Sequence, residues 1–136
     1  MRLDRMEKLT ALVSTMRTAD ISEIRSFATP PKAILYILRQ LYLLLGEPTK
    51  SVKAWINVSK LLGQKGKRAI QKRIQSFRVT QLSPKRAAEV EAKVQKFGQS
   101  VEEIATINKS VSLLFAWMQG VLDIVRSVDI VNGVSL

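Results

Sequence analysis

MEKLTALVSTM, residues 6–16, places Met6, Leu9, Val13 and Met16 at successive steps of three, four and three. WMQGVLDIVRSVDIV, residues 117–131, repeats the pattern with Trp117, Val121, Ile124, Val128 and Val131. Alternating steps of three and four put apolar side chains on one seam of a helix, and such a seam needs a second helix to cover it. The two strips stand at opposite ends of one chain, so pairing them within the molecule makes them antiparallel. The residues between them then form a helical knob on the tip of a two-stranded stalk. Each strip runs for only about two heptads, a length that two ordinary amphipathic helices of a bundle also satisfy.

Working inward from the first strip, the helix runs from about Arg2 to Thr18, and Asp20 with Glu23 signals a short capped turn reaching Arg25. Pro30-Pro31 ends anything helical before it, because the residue preceding a proline is pushed out of the α region. Pro31 can still open the next helix, where a missing N–H costs nothing. That helix, Pro31 to Leu45, is apolar almost all round, and Gly46 suits its C-terminal cap. Ser51 is read as the cap of a helix to Leu62, with Val52, Trp55, Ile56 and Leu62 inward and Gly63 as terminator. Arg68 to Phe77 presents Ile70, Ile74 and Phe77 on one face. Ser83-Pro84 starts a helix carrying Ala87, Val90, Val94 and Phe97 at helical spacing, stopped by Gly98. Ser100 and Glu103 form a capping box for a helix through Ile104 and Ile107, and from about Lys109 the long final helix enters the second strip. No segment alternates with period two, so the fold is read as all-α, a small helical bundle at the tip of an intramolecular antiparallel coiled coil.

The chain of 136 residues suits one domain with a real core. It has no cysteine and no histidine, which excludes disulfides, thiolate chemistry and the commonest general base and transition-metal ligand. No nucleophile and base can be paired among the serines and carboxylates, so neither an enzyme active site nor a cofactor is expected. The charged first turns do not read as a secretory signal. The most apolar run, Ala33 to Leu45, falls short of the roughly twenty residues that span a bilayer, so no membrane partner is expected.

A formal charge of +11 calls for an acidic partner. The excess is concentrated between Lys60 and Lys96, where Lys60, Lys65, Lys67, Arg68, Lys72, Arg73, Arg78, Lys85, Arg86, Lys93 and Lys96 face only Glu89 and Glu91. The two strips are nearly balanced, so the charge belongs to the knob. On the helix read from Arg68 to Phe77, Arg68 and Lys72 oppose the apolar face, and Lys67 and Arg73 flank it. The run from Gly63 to Arg68, GQKGKR, has glycines and cations but neither the spacing nor the preceding strand of a phosphate loop. Trp55 and Trp117 stand at core spacing and read as packing residues rather than base-stacking platforms.

SFATPPKAILYILRQLYLLLGE, residues 26–47, together with the preceding DISEIR, resembles the junction in dynein heavy chains where the first stalk helix meets the microtubule-binding domain. The likeness rests on the Pro-Pro pair opening an apolar helix that finishes in L-L-G. It continues through AWINVSKLLG at residues 54–63, through the Ile70–Phe77 segment, and through VSLLFAWMQG at residues 111–120, where the family's returning stalk helix begins. The resemblance covers essentially the whole chain. It implies a first stalk helix over residues 1–27, a microtubule-binding tip over 28–112 and a returning stalk helix over 113–136. Its implied partners are the microtubule and the remainder of a heavy chain, in the cytoplasm, on the cytoskeleton or in a ciliary axoneme, with no nucleic acid.

Three positions depart from the family pattern. Leu35 stands where a lysine is usual and Arg39 where a glutamate is usual, so positive charge moves to Lys32 and Arg39 on the same helical stripe. Thr106 stands where an arginine usually follows the glutamate matched by Glu102, and Lys109 is the nearest cation. These departures allow a stalk-like domain with reduced tubulin affinity. The docking residues implied are Lys32, Arg39, Lys67, Arg68, Lys72, Arg73 and Lys109. Changes in stalk register would alter their affinity, with Pro30, Pro31 and Gly120 as bending points. The seam offers few knobs and no strong polar lock, so its register is expected to be labile. A basic helical nucleic-acid-binding protein is the alternative from a different class.

Overall fold

The computed structural model describes residues 2–133, with side chains from 4 to 127. The described residues are all-helical: α1 Arg2–Ser14, α2 Thr18–Arg25, α3 Lys32–Leu44, α4 Trp55–Leu62, α5 Ile70–Ser76, α6 Pro84–Phe97, α7 Val101–Ala105 and α8 Lys109–Gly133. Three single 3-10 turns, Thr49–Val52, Gly66–Arg68 and Val79–Gln81, link the shorter helices.

At the centre lies α3, with Ile34, Ile37, Leu38, Leu41, Tyr42 and Leu44 all buried. Each such aliphatic side chain is worth about 1.5–3 kcal/mol on burial, so this helix anchors the core. α6 and α8 pack along it, and α4 covers a further side. α3 stops where its sequence dictates. Gly46 takes a φ of 103°, the Gly46 N–H donates to Leu43 O at 3.1 Å, and the Glu47 N–H donates to Tyr42 O at 2.9 Å. This pair of bonds satisfies the last carbonyls through a left-handed residue that glycine adopts without a Cβ clash.

Other caps follow the same local chemistry. Ser83 Oγ accepts from the Arg86 N–H at 3.1 Å, with Pro84 at the first helical position of α6, and Gly98 ends that helix at φ 72°. Ser100 and Glu103 close the capping box of α7 at 3.1 and 3.0 Å. Asn108 Oδ1 accepts from the Val111 N–H at 2.9 Å and starts α8.

The first helix ends at Ser14, short of Thr18. The Ser14 and Thr15 hydroxyls turn back to the Ala11 and Leu12 carbonyls at 2.6 Å each, offering the backbone an exit from the helix. Asp20 lies inside the first turn of α2 rather than ahead of it, and accepts from the Arg17 N–H at 2.8 Å. That backbone bond, then the Arg17 side chain, holds the Asp20 carboxyl below its ordinary value. Ser51 belongs to a 3-10 turn, and α4 begins only at Trp55. Ile56, expected inward, is exposed, because the later start rotates it to the outer face, and Ile107 is exposed in the link between α7 and α8. Arg68 lies in the 3-10 turn before α5 rather than on the helix, since Ala69 interrupts the two at φ −59° and ψ 142°.

The ends of the chain pair antiparallel. The Trp117 indole N–H donates to Thr10 Oγ1 at 3.1 Å, Met6 and Leu9 lie against Gly120, and Arg5 faces Asp123 at 3.9 Å. Val13, Trp117 and Val121 are buried on the seam, with Met6, Leu9 and Ile124 partly covered; Met16, expected as its last knob, is buried in the link beyond the end of α1, and the Val128 and Val131 side chains lie outside the described residues. α1 also packs on α5, and just past the end of α1 the Met16 carbonyl accepts from Gln71 Nε2 of α5 at 3.1 Å.

The register of this pair carries polar locks after all. Neither follows from the apolar spacing, because Thr10 becomes a lock only when the Trp117 indole of the other helix meets it, and Arg5 only when Asp123 does. Arg5–Asp123 continues through Arg126, which contacts Asp123 and bonds to Glu91 Oε1 of α6 at 2.9 Å. Gly120 is a notch: a Cβ there would overlap the Met6 sulfur and crowd a Leu9 methyl at 3.3 Å.

Gly120→Leu should therefore expel Met6 and lower stability by about 1–3 kcal/mol, the usual cost of overpacking, even though glycine itself costs a helix up to about 1 kcal/mol. Urea unfolding followed by helical circular dichroism measures this. A variant as stable as the parent would show that α1 does not fill the notch.

Candidate docking surface

The cations between α1 and α8 divide into two kinds. Those of the first kind turn inward to the C-terminal end of α3, where the last carbonyls carry negative potential and can accept a further bond. Arg86 Nη1 donates to Leu43 O at 3.0 Å and to Glu47 O at 2.7 Å. Arg73 donates to the Glu47 carboxylate at 2.8 Å and to Leu45 O at 3.4 Å, and its guanidinium lies 5.6 Å from the centre of the Tyr42 ring. Arg68 reaches the same carboxylate at 3.3 Å. Glu47 is thus the one described carboxylate within ion-pair reach of two guanidiniums at this end.

Exposure separates the two pairs. The Arg73 and Glu47 side chains are 16% and 11% exposed, whereas Arg68 is 60% exposed and keeps most of its surface in solvent. Arg39 is also engaged internally: its Nε donates to Val52 O at 2.9 Å and its Nη2 to Lys53 O at 2.8 Å, fastening the loop before α4. Arg39 and Arg73, both expected on the docking face, therefore serve carbonyls of the fold. Of the stripe Lys32, Leu35 and Arg39, only Lys32 is exposed; Leu35 packs against the core.

The second kind faces solvent. Lys32, Lys67, Lys72 and Lys109 are exposed, and none has a carboxylate within 4 Å among the described residues. Lys67, Arg68 and Lys72 follow one another along the 3-10 turn and α5, where α5 is held by Ile70 and Ile74 in the core. Lys32 and Lys109 open α3 and α8, and these two helices meet through an aromatic cluster. Phe97 stacks on Tyr36 at 4.9 Å and meets Phe115 edge-on at 5.8 Å. Tyr36 lies one turn beyond Lys32, and its hydroxyl donates to Lys93 O at 2.7 Å, bringing exposed Lys93 to the same end. The structure thus separates Lys32 from Arg68 and Arg73 by the length of α3, about 20 Å at 1.5 Å per residue.

Thr106, at the departure from the family pattern, donates its hydroxyl to Glu103 O at 2.7 Å and finishes α7, while Glu102 is exposed. Both tryptophans are packing residues. Trp117 is buried with its ring edge-on to Phe77 at 5.3 Å, and Trp55 is half-buried with its N–H on Phe27 O at 2.8 Å. The structural roles of Arg25, Arg39, Arg73 and Arg86 could not be separated from solvent-facing charge in the sequence, because their accepting groups are backbone carbonyls and, for Arg73, the Glu47 carboxylate 26 residues away. Arg25 bonds Ser59 O at 2.9 Å and lies flat against Gly63, which ties α2 to α4.

Among the described residues no set of His, Cys, Asp or Glu is arranged to hold a metal ion, and no helix is long and apolar enough to cross a membrane. The Tyr42 hydroxyl is buried with no hydrogen-bond partner among the described residues, and burial pushes its phenol well above the ordinary value.

Glu47→Ala should lower stability by about 3 kcal/mol, since it strands the nearly buried Arg73 guanidinium, whereas Arg68→Ala should cost no more than about 1 kcal/mol. Tyr42→Phe, which removes only the unpartnered hydroxyl, should leave stability equal or higher. Denaturant titrations of the three variants check this, and a harmless Glu47→Ala would remove the carboxylate from its place as organiser of this end.

No protein-family model matches the chain, and neither a curated protein nor a solved structure does.

Proposed function

We propose that this chain is the stalk tip of a dynein-like heavy chain: an antiparallel helix pair carrying a small helical domain that docks on the acidic surface of a microtubule. The observation that carries the reading is the pairing of Thr10 with Trp117, because it sets α1 antiparallel to α8, and the segment between them holds the excess positive charge. Lys32, Lys67, Arg68, Lys72 and Lys109 present cations to an acidic partner, and Arg39 and Arg73 shape the surface from within.

On this reading the partners are tubulin and the remainder of the heavy chain, and the place of action is the cytoskeleton or a ciliary axoneme. The chain needs no catalytic group of its own, because it transmits a change rather than performing chemistry. Sliding α1 by one turn along α8 would break Thr10–Trp117 and Arg5–Asp123 together and lift Met6 from Gly120. Those contacts supply a difference between two registers, and a register can select between two affinities only through such a difference. Loss of the family's cations at Leu35 and Thr106 favours weaker tubulin binding as the second form of the same reading.

A nucleic-acid-binding function is less well supported. Both tryptophans are committed to packing, and the charged segment Lys67–Lys72 straddles a 3-10 turn and a seven-residue helix too short to lie along a groove.

Lys67→Ala with Lys72→Ala should weaken microtubule binding about tenfold, whereas Arg2→Ala with Lys8→Ala on α1, which leaves the Arg5–Asp123 pair in place, should leave it nearly unchanged. Binding should weaken steeply as salt rises, because exposed charges act over a Debye length of about 8 Å at physiological ionic strength. Co-sedimentation with microtubules, set beside a duplex DNA titration, measures both effects. Salt-independent sedimentation, equal losses from the two double variants, or tighter binding to DNA would overturn the proposal.

A further inference from the structure

Two of the four prolines follow a hydroxyl residue, and both of these dipeptides carry a cation three places after the hydroxyl: Thr29-Pro30-Pro31-Lys32 and Ser83-Pro84-Lys85-Arg86. A proline directly after a phosphoacceptor lacks an N–H, so it suits kinases whose peptide groove has no acceptor for one, and a following cation suits an acidic groove. Both hydroxyl residues are exposed.

The surroundings of the two sites fit a phosphoryl group. Thr29 lies between α2 and α3, in a link where, among the described residues, neither the Ala28 nor the Thr29 backbone N–H donates a hydrogen bond. Lys32, its cation, is exposed on the first turn of α3, a helix of thirteen residues. Ser83 has extended backbone, φ −70° and ψ 144°, and beside it opens a cavity of about 240 Å³ lined by Gly46, Gln81 and Arg86 among others. Exposed Lys85 and half-buried Arg86 stand next to it, and its Oγ already accepts the Arg86 N–H.

We infer that Thr29 and Ser83 are phosphoacceptor sites for a proline-directed serine/threonine kinase, and that phosphate at these positions loosens the chain's hold on an acidic partner. The second clause rests on the docking reading above; the first does not. In the transfer, the hydroxyl oxygen of Thr29 or Ser83 attacks the γ-phosphorus of ATP and the bond from that phosphorus to the bridging oxygen breaks. ADP leaves with the electron pair, and the hydroxyl proton passes to the kinase's base. Each phosphate brings about −1.5 to −2 charges, so two of them lower the net charge from +11 to about +7 or +8. Thr29 is the faster acceptor, because Lys32 is free to enter a kinase groove while the Arg86 guanidinium is held on Leu43 O and Glu47 O.

The native full chain, incubated with magnesium-ATP and a purified proline-directed kinase and mapped by mass spectrometry, should take up phosphate at Thr29 and Ser83, with Thr29 filling several-fold faster. Pro30→Ala and Pro84→Ala, which keep the hydroxyls, should each slow labelling at the preceding residue at least about tenfold. Labelling of other hydroxyls at equal rates, or labelling only after denaturation, overturns the assignment, and the map of the unsubstituted chain decides this even where a variant fails to fold. Phosphorylated chain should leave microtubules at a lower salt concentration than unmodified chain. Unchanged salt release from fully phosphorylated chain would overturn the regulatory clause while leaving the two acceptor sites in place.

Discussion

A helix that is apolar on nearly every side must be covered on nearly every side, and α3 imposes that demand on the rest of the molecule. α6 and α8 lie along it, α4 covers a further side, and the Pro30-Pro31 pair sets the direction from which the chain enters. The demand extends to the end of the helix, where carbonyls left without helical partners attract guanidiniums. Arg73 and Arg86 answer it, and Glu47 neutralises part of the charge they bring. Covering α3 thereby sorts the cations of the molecule. Arginines, with several donors fixed in one plane, go to clustered carbonyls, and lysines remain in water.

This sorting limits what charge alone can say about binding. The dense run of cations between Lys60 and Lys96 looks uniform as a sequence. In three dimensions, Arg73 and Arg86 are part of the framework, Arg68 is half committed, and Lys67 and Lys72 remain on the outside. An arginine-to-lysine exchange at position 73 or 86 would keep the net charge and still remove bonds that the fold uses.

The helical class, the antiparallel partnership of the chain ends and the glycine stops at Gly46 and Gly98 were legible because they depend on local spacing and local backbone freedom. The capping box at Ser100 and Glu103 was legible for the same reason. Starts and ends set by competing hydrogen bonds were less so. Ser14 and Thr15 draw their own helix to a close, and Ala69 divides a basic segment that reads as one helix. Of the residues expected to dock, Lys32, Lys67, Lys72 and Lys109 stand in solvent as their type implies. Arg39 and Arg73 do not, because carbonyls tens of residues away in sequence or beyond a turn leave no mark in a periodicity.

The ionic thread from Arg5 to Asp123, on to Arg126 and then to Glu91 touches three helices, α1, α8 and α6. Asp123 and Arg126 stand one turn apart on α8, so the thread runs along that helix between its two outer partners. Pulling α1 against α8 therefore strains Arg5–Asp123 first, while Arg126–Glu91 still fastens α8 to α6. The thread lets the first helix give way without releasing the last one from the bundle.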